Sequence, residues 1–175
     1  MAQRLEELET LYNNLKTLFP LKPDISFDKN SWSVSMFNLT DNGKTATLIS
    51  KGFSGLEILP QIPSSGEHCY SLRINKTKGD LIFGILTNEN NPPAKGGYAY
   101  STFNGKIFGR IDQEAIGDGP FGSKNSILRM IVNMDQGTLA FYAGNRQVNF
   151  CDISKSDTYY AFVCFSNTGD SVVLL

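Results

Sequence analysis

Histidine is almost missing from this 175-residue chain, which holds only His68. A histidine-based metal site needs at least a second imidazole, and a Ser-His or Cys-His pair needs a nucleophile in an exposed, elbow-like turn. Neither pattern is present, so His68, at the start of an alternating strand, reads as a structural hydrogen-bonding group. Cysteine is scarce too. Cys69, Cys151 and Cys164 are odd in number and have no CxxC or metal-ligand spacing. Each lies in or beside an apolar run, where a free thiol behaves as a small buried hydrophobe. That usage fits a reducing, intracellular and cytoplasmic setting. No apolar run approaches the roughly 20 residues of a membrane helix. Residues 1–20 lack the basic start and unbroken apolar centre of a secretory signal, so the sequons at Asn38 and Asn75 read as chance. An excess of either charge is also lacking. Sixteen Lys and Arg stand against 17 Asp and Glu, for a net charge of −1. The lysines are scattered along the sequence, which argues against a nucleic-acid partner. Tryptophan occurs once, at Trp32, so a sugar-binding sandwich would have to stack its ligand on tyrosine. Glu57, Glu67, Glu89 and Glu114 show no same-face pairing of the kind a glycosidase needs. Gly122-Ser123-Lys124 has the wrong order for a phosphate loop. Nothing calls for a cofactor or a metal.

What the chain does have is Phe, Tyr and Gly: 12, 7 and 16 residues, within a composition that is 41% hydrophobic and 19% charged. Such a chain can bury one sizeable core, and its balance favours short strands joined by tight turns. The stretch 127–142, ILRMIVNMDQGTLAFY, is the clearest element. Leu128, Met130, Val132 and Met134 share one face of a two-residue period, Asp135-Gln136-Gly137 forms a three-residue loop, and Leu139 and Phe141 resume the alternation. Asp41-Asn42-Gly43-Lys44 marks a second hairpin. Tyr70, Leu72 and Ile74 alternate in a half-buried strand, and 81–86, LIFGIL, reads as a strand buried on both faces. Residues 51–66, rich in Gly, Pro and Ser, read as strand-edge and loop material because Pro cannot donate to a ladder. Residues 88–97 and 112–125 have loop composition. Eleven or twelve short strands at near-regular spacing predict an all-β, two-sheet antiparallel sandwich over residues 24–175.

Ahead of it, Leu5, Leu8, Leu11, Leu15 and Leu18 recur at helical spacing. Acids lead and Lys16 trails, as the helix dipole prefers. Residues 1–19 therefore read as one amphipathic helix, with 20–23 a short Pro-containing linker. The leucines keep coiled-coil spacing for under three heptads. Two expectations stay open: docking against the following domain, or an intermolecular helix pair through residues 3–18 that makes a homo-oligomer or joins a partner helix.

Several segments together resemble a known family. NMDQGTLAFY at 133–142 is similar to the signature hairpin of SPRY (B30.2-type) domains. Residues 62–70 resemble the family's "ISSGKHYWEV" segment, Leu81 to Ile85 its "iGv" strand, Tyr160 to Val163 its "YPvv" strand, and Asp24 to Thr47, with Leu39 to Lys44 late in it, the shorter element preceding the core in the B30.2 version. Tyr70 replaces the usual Trp, and Ala143-Gly144-Asn145 replaces the usual turn, which marks a divergent member. The resemblance implies a bent sandwich with no catalytic chemistry, an adaptor or scaffold component whose loops at one end bind a peptide or protein surface. It places Tyr98 and Ser166, Asn167 and Thr168 in that region. Residue character adds Tyr100, Phe103, Asn104, Ile58, Leu59 and Phe121 as contact candidates, aromatics and apolar residues beside small polar ones. For Tyr98, Tyr100 and Phe103 the competing expectation is a cover over the sheet edge. An assembly role through the leading helix, or lectin-like sugar binding, are the alternatives.

Overall fold

The computed structural model describes residues 24–31, 33–87, 97–103, 105, 107–109 and 123–175. The leading helix, Trp32, Asn104 and Phe121 fall outside them. Thirteen strands are present among the described residues: β1 Ser26–Phe27, β2 Phe37–Thr40, β3 Thr45–Leu48, β4 Ser54–Leu59, β5 Glu67–Lys76, β6 Leu81–Thr87, β7 Gly97–Ser101, β8 Ile107–Gly109, β9 Ile127–Asn133, β10 Thr138–Ala143, β11 Arg146–Asp152, β12 Tyr159–Phe165 and β13 Ser171–Leu174. They form two antiparallel sheets, six strands in the order β1-β4-β12-β6-β7-β8 and seven in the order β11-β10-β9-β5-β13-β3-β2. The all-β sandwich expected from the spacing is therefore observed.

The alternation seen in the sequence sets the burial. Along β9, Leu128, Met130 and Val132 are buried while Arg129 and Ile131 are only half so. The β9–β10 connection is one residue longer than expected. Asn133 pairs with Thr138, and Gly137, at φ +70°, donates its N–H to the Asn133 carbonyl at 2.8 Å. Met134 keeps its core contact, at 2% exposure, from the loop. The second hairpin forms as expected, with Asp41, Asn42 and Gly43 all at positive φ. β6 is buried on both faces from Leu81 to Leu86.

Two expectations are corrected. Residues 54–59 form an interior strand paired on both sides, with β1 and β12. Both prolines of this stretch, Pro60 and Pro63, lie beyond its last residue, so the missing N–H groups never enter the ladder. Cys69 is exposed, because it alternates with buried Tyr70 on β5 and points away from the core, whereas Cys151 and Cys164 are buried.

The core between the sheets is aromatic at its centre. Phe37 meets Phe165 edge-on with ring centroids 5.0 Å apart, and Tyr100 stacks on Phe141 at 5.6 Å. A second apolar cluster lies apart from that core. Ile82, Leu86, Ala99, Phe162 and Cys164 are 0–9% exposed. They alternate with core residues along β6, β7 and β12, so they belong to the outer face of the six-stranded sheet.

Candidate functional site

Strand register divides the molecule into two ends. Ser54, Phe165 and Leu81 are level with one another in one sheet, with Ser101 opposite the next residue, Ile82, as Thr47, Ser171 and Lys76 are in the other. The loops 49–53, 77–80 and 166–170 and the described residues after β7, Thr102, Phe103 and Gly105, therefore gather at one end.

Two aspartates tie these loops together. Asp80 accepts from Ser101 Oγ at 2.8 and 2.9 Å and from the N–H of Phe103 at 3.0 Å. Its own carbonyl accepts from Ser166 Oγ at 2.8 Å. Asp170, fully buried, accepts from the N–H of Lys78 at 2.7 Å and of Asn167 at 3.2 Å. Thr168 Oγ1 donates to the Ser50 carbonyl at 2.8 Å, and Ile49 N–H to the Met36 carbonyl at 2.9 Å. Four loops distant in sequence thus become one hydrogen-bonded rim. Its surface carries large apolar side chains in water: Phe103 is 70% exposed, Ile49 56%, Phe53 48% and Met36 38%. Scattered single hydrophobes need no explanation, whereas these four are gathered at one end.

The sequence-derived candidates divide between these environments. Phe103, Ser166, Asn167 and Thr168 come together at the rim, Phe103 as an exposed ring and the other three with donors engaged in fastening loops. Tyr98 and Tyr100 lie in β7 with their rings in the core, at 4% and 1% exposure. Burial, with Asp80 as the lesser cause, pushes the Tyr100 hydroxyl up to about 12. Ile58 is wholly buried on β4. Leu59 sits at the opposite end, paired with Ser26. Also at that end, Gln61, Ile62, Pro63, Ser64, Asp157 and Thr158 line an open cleft of about 270 Å³. Sequence reasoning missed Met36, Ile49 and Phe53. The available signal was Phe53 following Lys51-Gly52, a large hydrophobe stranded beside a turn.

His68 is fastened at its ring Nε2 to the Ser65 carbonyl, 2.7 Å away. Among the described residues no group of three or more His, Cys, Asp or Glu is placed to hold a metal ion, and no helix is long and apolar enough to cross a membrane.

No family model matches the chain, and no curated protein matches it in sequence. Solved structures do. The PSpry domain of TRIM65 is similar with a TM-score of 0.70 at 13% identity, covering 91% of this chain and 96% of that one. The SPRY domain of human HERC1 has a TM-score of 0.66 at 17% identity, covering 85% and 96%. Stonustoxin has a TM-score of 0.65 at 14% identity, covering 86% of this chain and 27% of that chain. The fold is that of a divergent SPRY-like domain, in agreement with the motifs.

Proposed function

We propose that this protein is a non-catalytic interaction module whose rim of four fastened loops binds a peptide or protein surface, as an adaptor or scaffold component. The observation that carries this is the exposed set Phe103, Ile49, Phe53 and Met36 at one end of the sandwich, where Phe103 is bonded to Asp80, Ser50 to Thr168 and Met36 to Ile49. Exposed apolar side chains on a pre-organised frame lose little entropy when a partner covers them, which favours tight contact. Phe103→Ser should leave the melting temperature within about 1 °C, since a solvent-facing ring contributes little to folding. Binding of the protein's own ligand should fall by about tenfold or more. Calorimetry with a partner captured from the native source checks both. Unchanged affinity in Phe103→Ser and Phe53→Ser alike would remove the rim from consideration.

A second reading concerns residues 1–19 and is favoured by the outer-face cluster. A sandwich needs only one apolar face per sheet, yet Phe162 and Cys164, on the other face, are each 1% exposed. Glu57 is paired with Phe162 on that sheet, and its carboxyl is raised by burial first and by Asp28 second. Such a face needs a cover. The leucines at 5, 8, 11, 15 and 18 supply an apolar stripe of matching character, and they precede β1, the edge strand of that sheet. This reading has the helix docked in cis. Cys164 is the reporter, its thiol pushed up to about 12 by burial and, second, by Asp80. In the 175-residue Leu8→Glu/Leu11→Glu variant, Cys164 should react with a thiol reagent at least about tenfold faster, while Cys151 stays protected and Cys69 reacts as before. Equal rates for Cys164 in variant and parent would sink the docking. Protection lost on dilution would assign the helix to a second copy instead.

A further inference from the structure

The net charge of −1 conceals a division between the two ends. At the rim, Lys51, Lys76 and Lys78 are exposed, as is Lys124 on the same end, where its neighbour Asn125 donates its N–H to the Ile74 carbonyl at 2.7 Å. Among the described residues the one salt bridge is Lys44 to Asp24, at 2.8 Å, at the far end. The rim's own carboxylates are occupied. Asp80 holds Ser101 and Phe103, and Asp170 holds Lys78 and Asn167 through their backbone N–H groups. The far end carries more exposed acids, several of them hydrogen-bonded in turn: Asp41 by Thr45, Asp135 by the Gly66 N–H and Glu67 by Asn133. Among the described residues, Asp24, Asp41, Glu67, Asp135 and Asp152 are exposed there, and the lysines are Lys44, in that ion pair, and Lys155, whose ammonium donates to the Asp135 carbonyl at 2.6 Å.

Lys51, Lys76 and Lys78 surround one loop. Lys51 follows Ser50, whose carbonyl holds Thr168; Lys78 N–H is bonded to Asp170. A Cβ at Gly169 would lie 3.6 Å from the Lys76 ammonium. Unpaired ammonium groups beside exposed Phe103, Phe53 and Ile49 call for a partner with both carboxylates and apolar side chains. Opposite charge across the rim steers encounter, and the apolar anchors hold the complex.

We infer that the rim binds an acidic polypeptide segment that also carries aliphatic or aromatic residues. This rests on the interaction reading above and adds the chemistry of the partner. A phosphate polymer is disfavoured because the lysines share the rim with exposed hydrophobes, which a phosphate backbone leaves uncovered.

The test is selection of the 175-residue chain against a random-peptide display library, with the enriched peptides then synthesised. Enriched sequences are expected to carry net negative charge around one or more large apolar residues. Their binding should weaken about tenfold or more in Lys51→Glu/Lys78→Glu and fall as salt rises from about 0.05 to 0.5 M. The same variant should keep its parent's melting temperature. Peptides that depend on Phe103 but are neutral or basic, or that bind the charge-reversed protein equally well, would overturn the acidic partner and leave the rim reading standing. Absence of enrichment, or peptides indifferent to both Phe103→Ser and Phe53→Ser, would overturn both. A single-stranded oligonucleotide or an anionic vesicle bound through Lys51 and Lys78, with no peptide enriched, would overturn the polypeptide assignment.

Discussion

Gly84→Ala is expected to destabilise the fold by about 3 kcal/mol or more. Gly84 is flanked by Ala99 on one side and Phe162 on the other. A methyl group built there falls 2.1 Å from the Tyr98 carbonyl oxygen and 2.6 Å from the Ala99 Cα. Both are backbone atoms of a paired strand and cannot swing aside, so β6 and β7 must part locally. The distortion reaches both layers, since Tyr98 and Tyr100 face the core and Ala99 the outer cluster. At about 2–4 °C per kcal/mol for a chain of this size, thermal unfolding should shift down by roughly 6–12 °C. A shift below about 2 °C would mean the strands separate at little cost.

Asp170→Ala should have an effect of similar size by a different route. Its carboxylate is fully buried and accepts the N–H groups of Lys78 and Asn167, one from each of two rim loops. Removing it orphans two donors that had a charged acceptor, at about 3 kcal/mol in total. Asp170→Asn keeps one acceptor oxygen and should recover part of this. Urea unfolding gives the stability change. Hydrogen exchange gives its location, because amide protection should fall first at Lys78 and Asn167. The partner's affinity should drop in the same variant, through looser loops. Stability unchanged within about 0.5 kcal/mol would show that water satisfies both amides.

Much of the fold was legible because strand burial has a period of two. Leu128, Met130 and Val132, and again Leu139 and Phe141, declare their face without tertiary information. The same period was available at Tyr98 and Tyr100, which share a face and share the core, while Phe103 lies past the last strand residue and points to solvent. Aromatic character alone could not separate them. β4 was obscured by its neighbours: Pro60 and Pro63 gave the whole stretch a loop's composition although neither lies in the strand. The rim was illegible for a topological reason. It is closed by the bonds of Thr168 to Ser50 and of Ser166 to Asp80, residues more than 80 positions apart, and no local pattern encodes such a meeting. The charge division was hidden likewise, since lysines spread through the sequence converge only once the strands are laid side by side.

The position of β13 has a consequence for how the molecule assembles. Residues 171–174 lie between β5 and β3 in the middle of the seven-stranded sheet. The early hairpin at 37–48 therefore has no sheet to join until a strand made more than 120 residues later takes its place beside it. Closing so long a loop before any reward places this fold among the slow ones. Until that moment β3 and β5 each present a bare edge, the kind of template on which unfinished chains pair with one another.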